Sequence, residues 1–210
     1  MPSAHRWSRA GTGFMKLVAL AGAIASGKST ALNLVKRKGF VCFDLDRYNR
    51  QLLESDREVS QLIKDRYGES SVVNNRINRE RLRSIIYQKS EEKHWLESVM
   101  HPRIMTSLAR DIAPYQETNE VLFVEIPLIS QAMNQFNVDQ VCVFECVSEK
   151  RVQRIIDRSG WSLGEITDII DKQMSEQELR GYADILIFNE SSLSDLSKTV
   201  DWLCDALVRD

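Results

Sequence analysis

Residues 22–30 read GAIASGKST and fit the pattern G-x-x-x-x-G-K-[ST]. In such a loop the backbone N–H groups of Gly22, Ala23, Ile24, Ala25, Ser26, Gly27, Lys28, Ser29 and Thr30 form a nest for anions. A helix opening near Ser29 adds its positive end. Lys28 would reach the β- and γ-phosphates of a nucleoside triphosphate, and the Ser29 hydroxyl would bind Mg²⁺.

Two further constellations suggest what is done with the phosphates. The stretch FDLDRYNR places Asp44 and Asp46 just past a short apolar run, on the same side of an extended segment. In an open α/β sheet the ligand edge is the carboxyl end of the strands, where a carboxylate can orient an acceptor hydroxyl and take its proton. One acid can face the hydroxyl while the other bonds Mg²⁺-bound water or caps the next helix. The segment SEKRVQRIIDRSG places Arg151, Arg154 and Arg158 at helical spacing on one face. Guanidinium groups there suit a lid closing over a triphosphate and balancing transition-state charge. A solvated basic face paired with Glu149 and Asp157 is the plainer alternative.

These residues need a scaffold that brings loop, acids and arginines to one edge. Apolar runs at residues 17–22, 40–44, 121–127, 140–147 and 184–189 read as strands buried on both faces. Helical patterns cover residues 29–38, 47–67, 79–87, 91–113, 148–158, 163–174 and 193–208, with Pro102 expected to kink or restart the fourth. The expected fold is a three-layer α/β/α P-loop domain with a five-stranded parallel sheet. The domain would span residues 15–210, with a helical acceptor-side insert at about 52–118 and a helical lid at about 148–175. Residues 1–14 are basic, lack an apolar core and read as a disordered extension or a non-native start before Met15.

Composition narrows the partners. The chain has 210 residues, 43% of them apolar, enough for one α/β domain, and its net charge of −2 offers no bulk attraction to nucleic acid or anionic membrane. Four cysteines without a C-x-x-C pair read as buried reduced thiols of a cytoplasmic protein. Three scattered histidines lack metal-ligand spacing, and no apolar run approaches the ~20 residues of a membrane span.

The P-loop classes then separate. No N-K-x-D base reader occurs, and the D-x-x-G match DRSG ends a charged helix rather than following a strand, which argues against a GTPase switch. Motor and transporter ATPases place an acid after a long apolar strand. Glu125, ending VLFVE, could be that acid or a capping or positioning carboxylate.

Taken in order, the motifs resemble the dephospho-CoA kinase family. The family's G-S-G-K-[ST]-T loop, D-x-D, E-K-x-W-L…H-P segment and strand ending P-L-L appear as ASGKST, DLD, EKHWLESVMHP and EIPLI. The lid arginines Arg154 and Arg158, the glutamine Gln173, and Ala183, Asp184 and Asn189 follow. The resemblance runs from about residue 16 to 189, and EKHWLESVMHP is its most discriminating part.

The resemblance implies a kinase that uses ATP and Mg²⁺ to phosphorylate the ribose 3′-hydroxyl of dephospho-CoA. It implies Asp46 as base, with Asp44 beside it and His101 on the acceptor side. Lys28, Arg154 and Arg158 attend the phosphates, and Asn189 borders the adenine pocket. Small-molecule substrates, a monomer or weak homo-oligomer, and no nucleic-acid or membrane partner are expected.

Departures from the family pattern are Ala21, Ala23 and Ala25 where Thr and two glycines are usual, Gln131 in place of a glutamate, and Ser159 near a usual aspartate. A nucleoside or nucleoside-monophosphate kinase, and a nucleotide-binding regulator without catalysis, are the rival readings.

Overall fold

The computed structural model describes residues 15–74, 76–127, 138–171 and 173–209. Residues 1–14, and the continuation beyond Pro127 that includes Gln131, lie outside them. Contacts along the backbone divide the chain into two compact units, one formed by residues 1–43 and 115–210, the other by Asp44–Pro114.

The first unit is built on the apolar runs. The strands are β1 (Lys16–Gly22) and β2 (Val41–Asp44), then β5 (Val121–Glu125), β6 (Gln140–Glu145) and β7 (Ile185–Phe188). They form one sheet in the order β2-β5-β1-β6-β7. β1 pairs in parallel with β5 and β6, and β6 with β7. The connection from β1 leads to one flank and that from β6 to the other. The crevice between their carboxyl ends is therefore a topological switch point, where such sheets bind ligands.

Val18, Leu20, Phe123, Cys142 and Phe144 face a core completed by α1 (Lys28–Arg37) and the last helix, α9 (Leu193–Arg209). The alternate residues Leu17, Ala19, Leu122, Val124 and Val143 are equally buried, so the sheet is covered on both sides. The segment between β6 and β7 holds α6 (Ser148–Ser159), α7 (Leu163–Asp171) and α8 (Glu176–Arg180). The four cysteines are free. Burial pushes the thiols of Cys42 and Cys142 up to about 12 and that of Cys204 to about 11, so all three stay neutral and unreactive near pH 7.

The second unit contains α2 (Leu45–Ser55), α3 (Arg57–Tyr67), a two-stranded hairpin of β3 (Val72–Val73) and β4 (Arg76–Ile77), α4 (Arg79–Gln88) and α5 (Ser90–Ile112). The single helical run expected over 47–67 is two helices. Asp56 leaves the helical region at ψ 114 and its carboxylate accepts the N–H groups of Glu58 and Val59, capping α3. Pro102 does not restart α5, which runs through it. Around the missing N–H, Arg103 donates to the Val99 carbonyl and Thr106 to the Pro102 carbonyl.

The EKHWL stretch has a visible architectural task. Glu92 accepts from Arg66 Nε at 2.6 Å and from the Tyr67 hydroxyl at 2.8 Å. The Arg66 guanidinium lies 4.6 Å from the Trp95 ring centre, and Tyr67 meets Trp95 edge to face. The motif thus fastens α3 to α5.

The two donors, Arg66 first, hold the Glu92 carboxyl below the usual carboxylate range. Such a group contributes stability above its unfolded value of about 4.3 and loses it as pH falls through the depressed folded value. Glu92→Gln is expected to lower the melting temperature slightly at pH 7. It should also make stability decline less steeply below about pH 4.3, as read by circular dichroism melts across pH.

Candidate active site

The loop forms at the β1–α1 junction, as its spacing requires. Gly22 (φ 147), Ala25 (φ 60) and Gly27 (φ 104) turn the backbone through the left-handed region. A Cβ on Gly22 would come within 2.5 Å of the Phe144 carbonyl oxygen and 2.6 Å of Ser26 Oγ. One on Gly27 would lie 2.0 Å from Asn189 Nδ2. Glycine at both positions is therefore dictated by packing as well as by φ. Ala25 adopts φ 60 with a Cβ, at a cost of about 1 kcal/mol. Ala23 has no such requirement among the positive-φ residues.

Gly27 enters α1 with no side-chain cap, whereas α2, α3, α4 and α8 are capped by Asp44, Asp56, Asn78 and Ser175. A helix start that no side chain caps suits an anion. Lys28 Nζ folds back to the Ala23 carbonyl at 3.3 Å. Ser26 is fully buried and its hydroxyl, packed against Gly22, has no hydrogen-bond partner. Thr30 is exposed in the first turn of α1.

Register explains the next contact. β5 runs beside β1 with Glu125 opposite Leu20, and the Ile126 N–H continues the pairing by donating to the Leu20 carbonyl. Glu125, 5% exposed, is thereby carried to the loop, and its carboxylate accepts from the Ser29 hydroxyl at 2.5 Å. Glu125 is therefore a direct partner of the P-loop serine. This hydroxyl–carboxylate pair suits Mg²⁺, a hard cation that takes few protein ligands when phosphates supply the rest. No cluster of three or more metal-ligating side chains occurs among the described residues.

The segment from β6 to β7 closes over the same loop. Arg154, on α6, donates from Nη1 to the Ala25 carbonyl and from Nη2 to the Asn189 carbonyl, each at 3.1 Å. Asn189 is 6% exposed; its N–H extends the sheet to the Glu145 carbonyl and its Nδ2 donates to the Ser26 carbonyl at 2.8 Å. Gln173 Oε1 accepts the Ile24 N–H at 3.0 Å.

The three arginines do not share a role. Arg151 is buried and pairs at 3.5 Å with Glu176, which is exposed, while Arg158 is exposed in the last turn of α6. Asp184, carried by the family motif, is a register residue. Its carboxylate accepts the Val141 N–H and its own N–H donates to the Val141 carbonyl.

The remaining site residues belong to the second unit. Asp44 caps α2 by accepting the Arg47 N–H and pairs with Arg50 at 3.3 Å. Asp46 is exposed in the first turn of α2, and His101 is half-buried on α5, beside Pro102. Two contacts escaped sequence reasoning. Gln173 was marked only by resemblance, and it meets Ile24 across 149 positions, with no local pattern to signal the pairing. The Asn189 bond to Ser26 spans 163 and is equally silent.

The dephospho-CoA kinase family model matches residues 16–195. The dephospho-CoA kinase of Trichormus variabilis is 32% identical over 89% of this chain and 95% of its own length, and that of Helicobacter pylori 29% over 88% and 93%. Among solved structures, TT1252 from Thermus thermophilus superimposes with a TM-score of 0.77 at 28% identity, covering 92% of this chain and 98% of that one. The dephospho-CoA kinase from Campylobacter jejuni, at 24% identity and a TM-score of 0.66 over 93% and 99%, shares the fold. A match over most of the length, on a sheet and loop built this way, places the chain in the dephospho-CoA kinase family.

Proposed function

We propose that this chain transfers the γ-phosphoryl group of ATP to the ribose 3′-hydroxyl of dephospho-CoA, giving coenzyme A and ADP. The observation that carries the reading is the intact phosphate loop, with Ser29 bonded to Glu125, inside a family match spanning residues 16–195. The uncapped start of α1 and the loop around it would hold the donor phosphates, the Ile24 N–H excepted because it is held by Gln173, with Lys28 on the β- and γ-oxygens. Mg²⁺, when bound, neutralises phosphate charge; Ser29 would ligate it directly, and Glu125, with help from Asp44 or Asp46, through water.

Asp46, exposed at the start of α2, would accept the proton of the 3′-hydroxyl as its oxygen forms the new bond to phosphorus and the bond to ADP breaks. Asp44 would orient the acceptor while capping α2, and His101 would line the acceptor side. Arg154 uses two of its five N–H groups on loop and strand carbonyls, which leaves three donors for phosphate oxygens; Arg158 would join it when the lid, residues 148–175, closes. Asn189 would border the adenine while holding Ser26. No helix among the described residues is long and apolar enough to cross a membrane. A cytoplasmic monomer or weak homo-oligomer without nucleic-acid or membrane partners accords with the near-neutral charge.

Asp46→Asn is expected to lower kcat by about 10²–10⁴-fold in a coupled ADP-release assay with dephospho-CoA, at little cost in ATP affinity. Equal rates would remove Asp46 from the role. Turnover of nucleosides or nucleoside monophosphates in place of dephospho-CoA would favour the rival kinase, and ATP binding without turnover of any acceptor would favour the regulator. Glu125→Gln is expected to raise the Mg²⁺ concentration giving half-maximal rate by roughly tenfold, the scale on which partners behind the metal ligands act.

A further inference from the structure

Ala25 and Asn74 are the only non-glycine residues with positive φ among those described, and Ala25 sits in the middle of the phosphate loop. The polar groups on either side of its Cα are both claimed by distant side chains. The Ile24 N–H donates to Gln173 Oε1, and the Ala25 carbonyl accepts from Arg154 Nη1. Gln173 is itself fixed, since its N–H donates to the Ile170 carbonyl at the end of α7. Arg154 is braced by its second arm on the Asn189 carbonyl. Neither bond belongs to a helix or strand ladder. Together they grip the loop at the one position where a residue with a Cβ takes a left-handed turn.

We propose that Gln173 is a positioning residue for the donor phosphates: with Arg154 it holds the Ile24–Ala25 segment in its left-handed arch, so that the loop is shaped before ATP arrives. This rests on reading the loop as the ATP cradle. An alanine favours other conformations here more than a glycine would, so the loop without its grip spends less time in the binding shape and its apparent ATP affinity falls in proportion. Because Gln173 acts on the loop backbone, its loss acts on ATP binding rather than on the chemical step.

The test uses the full chain with Gln173→Met, which keeps the length and removes the acceptor. In the unliganded protein, amide hydrogen exchange at Ile24 should speed at least tenfold while β1 amides are unchanged. ATP titrated by calorimetry without acceptor should bind about three- to tenfold more weakly, the effect of one lost hydrogen bond to a backbone group. KM for ATP should rise with kcat nearly constant. Ala25→Gly in the same background should recover most of the loss, a non-additivity that a general structural defect would not produce.

Gln173→Glu, which retains an acceptor, should keep the Ile24 protection and guards against misfolding of the methionine variant. Unchanged or tighter ATP binding in Gln173→Met, or strict additivity with Ala25→Gly, overturns the inference and leaves the proposed reaction standing. Weaker ATP binding in Gln173→Met, with no turnover of dephospho-CoA by the wild type, does the reverse.

Discussion

The bond from Asn189 Nδ2 to the Ser26 carbonyl, lying directly over Gly27, is the contact on which the site depends. It joins the end of β7, an edge strand, to a loop that leaves the central strand β1. The Asn189 backbone is fixed first, because its N–H continues the β6 pairing through the Glu145 carbonyl. Its side chain is buried, so the bond is shielded from competing water and the Ser26 carbonyl would lose its partner without it. Gly27 must then be glycine, and the start of α1 is set at a fixed height above the sheet. Lys28 and Ser29 inherit their positions from that placement.

Charges behind the loop reinforce the same end of the sheet. Glu145, 6% exposed, receives a two-pronged contact from Arg180 at 2.7 and 2.8 Å, which ties α8 to the end of β6. Arg151 joins Glu176, so α6 and α8 are linked by a second ion pair. Each pair joins a buried charge to a half-exposed one, so losing the exposed partner would leave Arg151 or Glu145 uncompensated inside the fold. They anchor the segment that delivers Arg154 and Gln173, so the loop is gripped from a rigid base.

Much of this was legible in the sequence for a simple reason. The phosphate loop constrains backbone at fixed positions, and such constraints write themselves as Gly22, Gly27, Lys28 and Ser29 at invariable spacing. Strands buried on both faces write themselves as apolar runs, and all five were found within two residues of their ends. The break at Asp56 was hidden because the amphipathic pattern continues through it and only the capping carboxylate marks the division. The two-residue strands β3 and β4 and the five-residue α8 are too short to show a period. The grip on the loop was invisible, since Gln173 and Asn189 act from across the chain on backbone groups that carry no sequence of their own. The partner of Arg151 was hidden for the same reason: its pairing with Glu176 depends on a helix that periodicity did not reveal.

The central claim is that a glycine-shaped loop, held by Asn189, is the seat of the donor phosphates. Calorimetric titration of Gly27→Ala with ATP tests it most directly, since the added Cβ meets the Asn189 amide at a backbone φ of 104. The account predicts a loss of ATP affinity of about a hundredfold or more, with the sheet still folded by circular dichroism, as a displaced loop forfeits several phosphate contacts at once. ATP affinity within twofold of wild type would contradict it.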